Sequence, residues 1–73
     1  MRSKFDEEMA LLHRELIRMG ALCEEAIALT AKALDGDRQL AARVPAAEAE
    51  IDQAERDIEA LCLKLLLRQQ PVA

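Results

Sequence analysis

The segment Leu61-Cys62-Leu63-Lys64-Leu65-Leu66-Leu67 constrains this chain more than any other stretch. Coiled into a helix, it puts Leu61 and Leu65 on one face, Cys62 and Leu66 on the next, and Leu63 and Leu67 on a third. A helix with one apolar stripe packs on one neighbour, whereas a helix apolar nearly all round has to be covered on several sides. Two helices cannot cover all of these faces. The expectation is an all-α chain that forms part of a larger helical bundle. Leu61, Leu63, Leu65, Leu66 and Leu67 would then pack against a partner or a second copy.

The rest of the chain agrees with an all-α reading. Ala, Leu, Glu, Arg and Ile dominate, there is one Phe, and Trp and Tyr are absent. With 52% apolar and 33% charged residues the chain is too apolar to stay disordered. At 73 residues it is one small domain at most, and a core of that size supplies only about 3–5 kcal/mol without a staple or a partner.

The spacing predicts a first helix over about 3–35, capped by Ser3 with Asp6 reaching back, and with acidic residues in its first turn. Its apolar seam reads Phe5, Met9, Leu12, Leu16, Met19, Cys23, Ala26, Thr30, Ala33 in four-three steps, the mark of near-parallel packing. Gly20 interrupts this helix at about 1 kcal/mol relative to Ala, either as a tolerated flaw or, in the reading slightly preferred, as the mark of a close helix approach. Asp35-Gly36-Asp37 is read as the turn, with Gly36 ending one helix and Asp37 capping the next. So short a loop makes an antiparallel helical hairpin. A second helix follows over about 38–69, with the seam Leu40, Val44, Ala47, Ile51, Ala54, Ile58, Leu61, Leu65. The seam keeps its phase through Pro45, which favours a kink there. The alternative is a short turn of helix over 38–43 and a new helix from Pro45, where proline is welcome.

Composition also excludes several functions. A net charge of −4 argues against nucleic acid, whose phosphates call for clustered Lys and Arg. No run approaches the roughly 18–20 apolar residues of a membrane span, and the acidic opening has no signal-peptide character, so a cytoplasmic location is expected. Cys23 and Cys62 would sit roughly 20 Å apart along the hairpin, too far for a disulfide. His13 stands alone. No Ser/His/Asp or Cys/His set and no glycine-rich phosphate loop is present, so nothing suggests an enzyme.

One further pattern bears on chemistry. Glu48, Asp52, Glu55 and Glu59 follow one another in steps of four, three and four, so all four carboxylates share a flank of the second helix. Like charges four apart cost a few tenths of a kcal/mol per pair. Oxygen ligands of this kind suit a hard cation, and helical bundles build such sites from facing helices. The commoner meaning of such a row is a solvated flank, with Asp52 and Arg56 as an ion pair.

The chain resembles the start of the PhoU family of phosphate-transport regulators. The resemblance lies in Met1-Arg2-Ser3-Lys4-Phe5-Asp6-Glu7-Glu8, in Leu12-His13-Arg14-Glu15-Leu16-Ile17-Arg18-Met19-Gly20, and most specifically in the tract from Glu50 through Leu66 followed by Arg68-Gln69-Gln70-Pro71-Val72-Ala73. It implies a PhoU-type three-helix bundle of which this chain holds two helices, completed by a third helix or by self-association. It implies a divalent or iron-type metal held through paired Glu/Asp-x-x-x-Asp motifs. Glu48 and Asp52 match one such motif and Glu55 stands as an extra ligand; Ala49 and Pro45 depart from the usual pattern. It also implies negative regulation of phosphate uptake and of phosphate-starvation signalling, through contacts with a transporter ATPase and a sensor histidine kinase. The competing expectations are a metal-binding bundle that works through its acidic flank, and a simple dimerising hairpin.

Overall fold

Residues 3–68 are described by a computed structural model. They form a first long helix, α1 (Lys4–Leu34), a single turn of helix, α2 (Arg38–Ala41), and a second long helix, α3 (Val44–Arg68). α1 and α3 run antiparallel, and no strand occurs among the described residues. The molecule is 58 Å long and only 13 Å in its thinnest dimension. That thickness is about one helix diameter, so the hairpin is a single layer, whereas a domain core normally needs at least two.

Local chemistry explains the helix ends. The Asp6 amide donates to Ser3 Oγ at 3.1 Å, and the Ser3 amide lies 3.5 Å from Asp6 Oδ2, which closes a capping box. Asp35 and Gly36 finish α1 by donating to the carbonyls of Lys32 and Ala33. Gly36 has φ of 105°, a conformation that disfavours any side chain. The Asp37 carboxylate accepts from the Leu40 amide at 3.1 Å and caps α2.

The expected kink at Pro45 is instead a break. Residues 42 and 43 form a turn, and α3 begins at Val44. Pro45 has no N–H for the Ala41 carbonyl. The chain closes α2 with the Arg43 amide on the Leu40 carbonyl at 3.0 Å, and the Ala47 amide then bonds to Arg43 at 3.2 Å. Pro45 thus occupies the first turn of α3, where its missing donor costs nothing. The unbroken phase of Leu40, Val44 and Ala47 describes side-chain direction; it does not guarantee a continuous backbone ladder.

Packing also rotates the expected seam. Along α3, Ala54 and Leu65 are buried, and Val44, Ala47, Ile51, Ile58, Leu61 and Cys62 are half-buried. Along α1 the covered row is Glu8, Leu12, Glu15, Met19, Leu22, Ala26, Leu29 and Ala33, again in four-three steps. Leu22 and Leu29 therefore join the contact, Met9 and Cys23 of the expected seam are half-buried beside it, and Phe5, Leu16 and Thr30 lie outside it. Thr30 donates to the Ala26 carbonyl of its own helix at 2.7 Å. Gly20 is exposed, and a Cβ placed on it would meet nothing within 4 Å, so no close helix approach occurs there among the described residues.

A candidate partner-binding face

The rotation of the seam leaves α1 with a second apolar row. Phe5, Met9, Leu16, Cys23, Ile27 and Leu34 lie on a flank adjacent to the covered row. Phe5 and Met9 line a groove with Leu12, Cys62, Leu65 and Leu66 at the open end of the hairpin. Ile27 and Leu34 form a shallow apolar surface with Ala26, Thr30 and Ala31 near the turn. Exposure is uneven along this row: Met9 and Cys23 are half-buried, while Ile27 is 70% and Leu34 83% exposed.

The same side of α3 carries the acidic row. Glu48, Asp52, Glu55 and Glu59 continue in unbroken four-three steps to Cys62 and Leu66, and those two residues line the groove with Phe5 and Met9. The carboxylates are therefore on the groove side of α3, and all four are exposed. The face thus has an apolar side from α1, an acidic side from α3 near the turn, and a wholly apolar patch at the open end. The opposite edge is different. Its hollows are lined by charges of both signs, Glu25, Arg43 and Glu50 near the turn and Glu15, Asp57 and Lys64 towards the open end.

The leucine-rich end divides into two sets. Leu65 is buried and Leu61 half-buried within the hairpin itself, so α1 already covers the face they share. Leu63, Leu66 and Leu67 remain 61%, 66% and 67% exposed. Of the five leucines read as packing residues, these three are left uncovered.

The acidic flank is solvated and lacks the expected ion pair. Arg56 donates to Gln53 Oε1 at 3.3 Å, Gln53 in turn donates to Asp57 Oδ1 at 2.9 Å, and no Asp52–Arg56 bridge forms among the described residues. Nor do any three His, Cys, Asp or Glu side chains among the described residues converge enough to hold a metal ion. Glu48, Asp52 and Glu55 on one exposed helix face do not by themselves fit a closed cation site.

One pairing was not legible in the sequence. Glu8 is buried to 8% exposure, and Arg68, the last residue of α3, donates to its Oε1. Glu8 Oε2 has no partner among the described residues. Glu8 reads as part of the acidic first turn, and nothing in its spacing singles it out until α3 folds back across it.

A family model described as the PhoU domain matches residues 16–73. A phosphate-specific transport system accessory protein PhoU homolog of Synechocystis sp. is 36% identical over 73 residues, covering 99% of this chain and 33% of that protein. Homologs of the same description from Rhizobium meliloti and Pseudomonas aeruginosa are 36% and 35% identical, covering 97% and 96% of this chain and 30% and 29% of theirs. The chain spans about a third of the length of these relatives. No solved structure matches it at comparable significance.

Proposed function

The chain belongs to the PhoU family, and from that premise we propose that it serves phosphate-transport regulation by protein contact and not by catalysis. The observation that carries this reading is the uncovered face. A hairpin that leaves Phe5, Leu16, Ile27, Leu63 and Leu66 exposed has surface to spend on a partner. No helix among the described residues is long and apolar enough to cross a membrane, in keeping with action from the cytoplasm. The partners in this reading are a phosphate-transporter ATPase and a sensor histidine kinase, with negative regulation of phosphate uptake and of the starvation response as the outcome. Basic surfaces on those partners would meet Glu48, Asp52, Glu55 and Glu59, steering the encounter, while the apolar row supplies affinity.

The test is direct binding of the chain to the purified ATPase subunit and to the cytoplasmic part of the kinase, without added metal. Charge reversal by Glu48→Lys with Asp52→Lys should weaken binding at least tenfold. Unchanged binding, or none by the wild-type chain, removes the proposal. A phosphate-responsive reporter that stays repressed when the gene is deleted also counts against it.

A second reading rests on the same flank. Glu48 and Asp52 stand four apart with no cationic side chain bridged to them among the described residues, and Glu55 follows on the same row. We propose them as one arm of a divalent or iron-type cation site whose other ligands come from another helix. Iron or manganese should then raise the melting temperature of an assembled form but not of Glu48→Gln with Asp52→Asn, because only a ligand of the folded state stabilises it.

A further inference from the structure

We propose that the middle of the uncovered face, between Leu16, Cys23 and Ile27 of α1 and the acidic row of α3, is a docking groove for an amphipathic helix of a partner protein, one whose apolar stripe is flanked by Lys and Arg.

Register sets the two walls opposite each other. Glu15 shares a hollow with Asp57, Leu61 and Lys64, and Glu25 shares one with Arg43 and Glu50. The stretch of α1 between those two glutamates therefore lies across from the part of α3 that holds Asp52, Glu55 and Glu59, with Glu48 towards Ile27. On this side α1 presents Leu16, Gly20, Cys23 and Ile27 in steps of four, three and four, and α3 presents Glu48, Asp52, Glu55 and Glu59 in the same steps. Each wall spans about 16 Å, or three turns of helix.

A helix suits this trough better than an extended segment. The backbone groups of α1 and α3 are paired within their own helices, so a strand laid along them finds no hydrogen-bond partners. A helix needs none, and it fills such a trough with side chains at four-three spacing. The hairpin is only 13 Å thick, and a docked helix supplies the second layer that a core requires. Gly20 stands at the centre of the α1 wall. It is exposed, and a Cβ placed on it would meet nothing within 4 Å, so the hairpin itself has no use for a residue that weakens a helix relative to alanine. A helix crossing this face would pass over Gly20, where the missing side chain lets two backbones approach closely.

Charge then selects the occupant. The four carboxylates of the α3 wall have no cation bridged to them among the described residues. A second copy would bring its own net charge of −4, and nucleic acid its phosphates; both set like charges together. A helix apolar all round would desolvate the carboxylates without pairing them, which is costly. Lys and Arg along one flank of the docked helix pair with that wall while its apolar stripe covers Leu16, Cys23 and Ile27. Exposed pairs of this kind add selectivity and speed of encounter more than affinity.

This groove deepens the regulatory reading by naming the chemistry of the partner's docking element, and it rests on that reading for the face being free. Its test uses neither the ATPase nor the kinase, so the failure of one is distinguishable from the failure of the other. A fluorescent peptide of about eighteen residues, long enough to be helical alone, carries Leu and Ala in four-three spacing with Lys along one flank; its twin has Glu for every Lys. Anisotropy titration with the full chain should show the Lys peptide binding at least tenfold more tightly than the Glu twin, by a margin that shrinks as salt rises. Glu48→Lys with Asp52→Lys should reverse the preference. Glu25→Lys with Glu50→Lys, the same change of charge on the opposite edge, should leave it in place. Gly20→Gln should weaken the Lys peptide at least tenfold while circular dichroism shows the hairpin still helical. Equal binding of the two peptides, or none, overturns the proposal and leaves the face to an occupant chosen by apolar packing, a second copy among them. A preference that survives Glu48→Lys with Asp52→Lys, or a Gly20→Gln chain that binds as well as wild type, also overturns it. So does a Glu twin that binds best once manganese is added, which would hand the row to a bridging cation.

Discussion

The Arg68 guanidinium donates to the carboxylate of Glu8, sixty residues earlier in the chain, and so ties the first turns of α1 to the last turn of α3. The two partners differ in environment: the Glu8 side chain is 11% exposed and that of Arg68 37%. Removing Arg68 leaves a buried carboxylate without a counter-charge, while removing Glu8 leaves a cation that reaches water. The loss is therefore asymmetric.

Arg68→Ala should destabilise the hairpin by about 1–2 kcal/mol, a value held down by the partial exposure of the arginine. Glu8→Leu, which places an apolar side chain in the covered row, should be near neutral or stabilising. Urea denaturation of both variants and of the double variant checks this. Equal losses from the two single changes would refute the asymmetry.

The two glycines should respond in opposite directions. Gly20→Ala puts a Cβ into open space within a helix and should stabilise by about 0.5–1 kcal/mol. Gly36→Ala forces a side chain into φ of 105° and should cost about 1 kcal/mol or more. Thermal unfolding by circular dichroism separates them. A stability loss in Gly20→Ala would point to a helix lying against that position in solution.

Asp37→Ala should cost about 1 kcal/mol, because the Leu40 amide loses its cap. Asp37→Asn retains the side-chain oxygen and should recover most of that loss. Amide exchange at Leu40 and Ala41 gives the local readout. Equal protection in both variants would remove the cap from the account of this turn.

Core position and surface position should separate cleanly. Leu65 is 6% exposed, and Leu65→Ala should cost about 2–3 kcal/mol, a large part of the few kcal/mol available to so small a fold. Ile17 is 74% exposed and off both apolar rows, so Ile17→Ala should stay within about 0.5 kcal/mol of wild type. Comparable losses at the two positions would mean that Ile17 is covered in solution.

Much of the architecture was legible because it rests on short-range chemistry. Ser3 with Asp6, and Asp37 with Leu40, are contacts within one turn, and Gly36 answers a backbone geometry that other residues avoid. The acidic row from Glu48 to Glu59 follows from helical periodicity alone. Periodicity was less informative about α1, where two four-three rows share Leu12, Met19, Ala26 and Ala33. Either row satisfies the same pattern, so the sequence read alone favoured the one with Phe5, Leu16 and Thr30. The covered row contains Glu8 and Glu15, which a search for apolar residues passes over.

The sequence by itself determined that the first long helix ends at Asp35-Gly36-Asp37 and that a new helix is capped there, since caps, turns and helix-forming residues act over three or four positions; it left open whether Pro45 kinks the chain or, as found, separates α2 from α3. It also determined that the leucine-rich end of α3 has more apolar faces than α1 covers. Only the tertiary structure decided which row of α1 meets α3, that Leu61 and Leu65 are covered while Leu63, Leu66 and Leu67 are not, and that Glu8 pairs with Arg68. The physical reason is that these depend on the rotation of one helix against another. That rotation is set by packing summed along the whole seam, and no short stretch of sequence carries it.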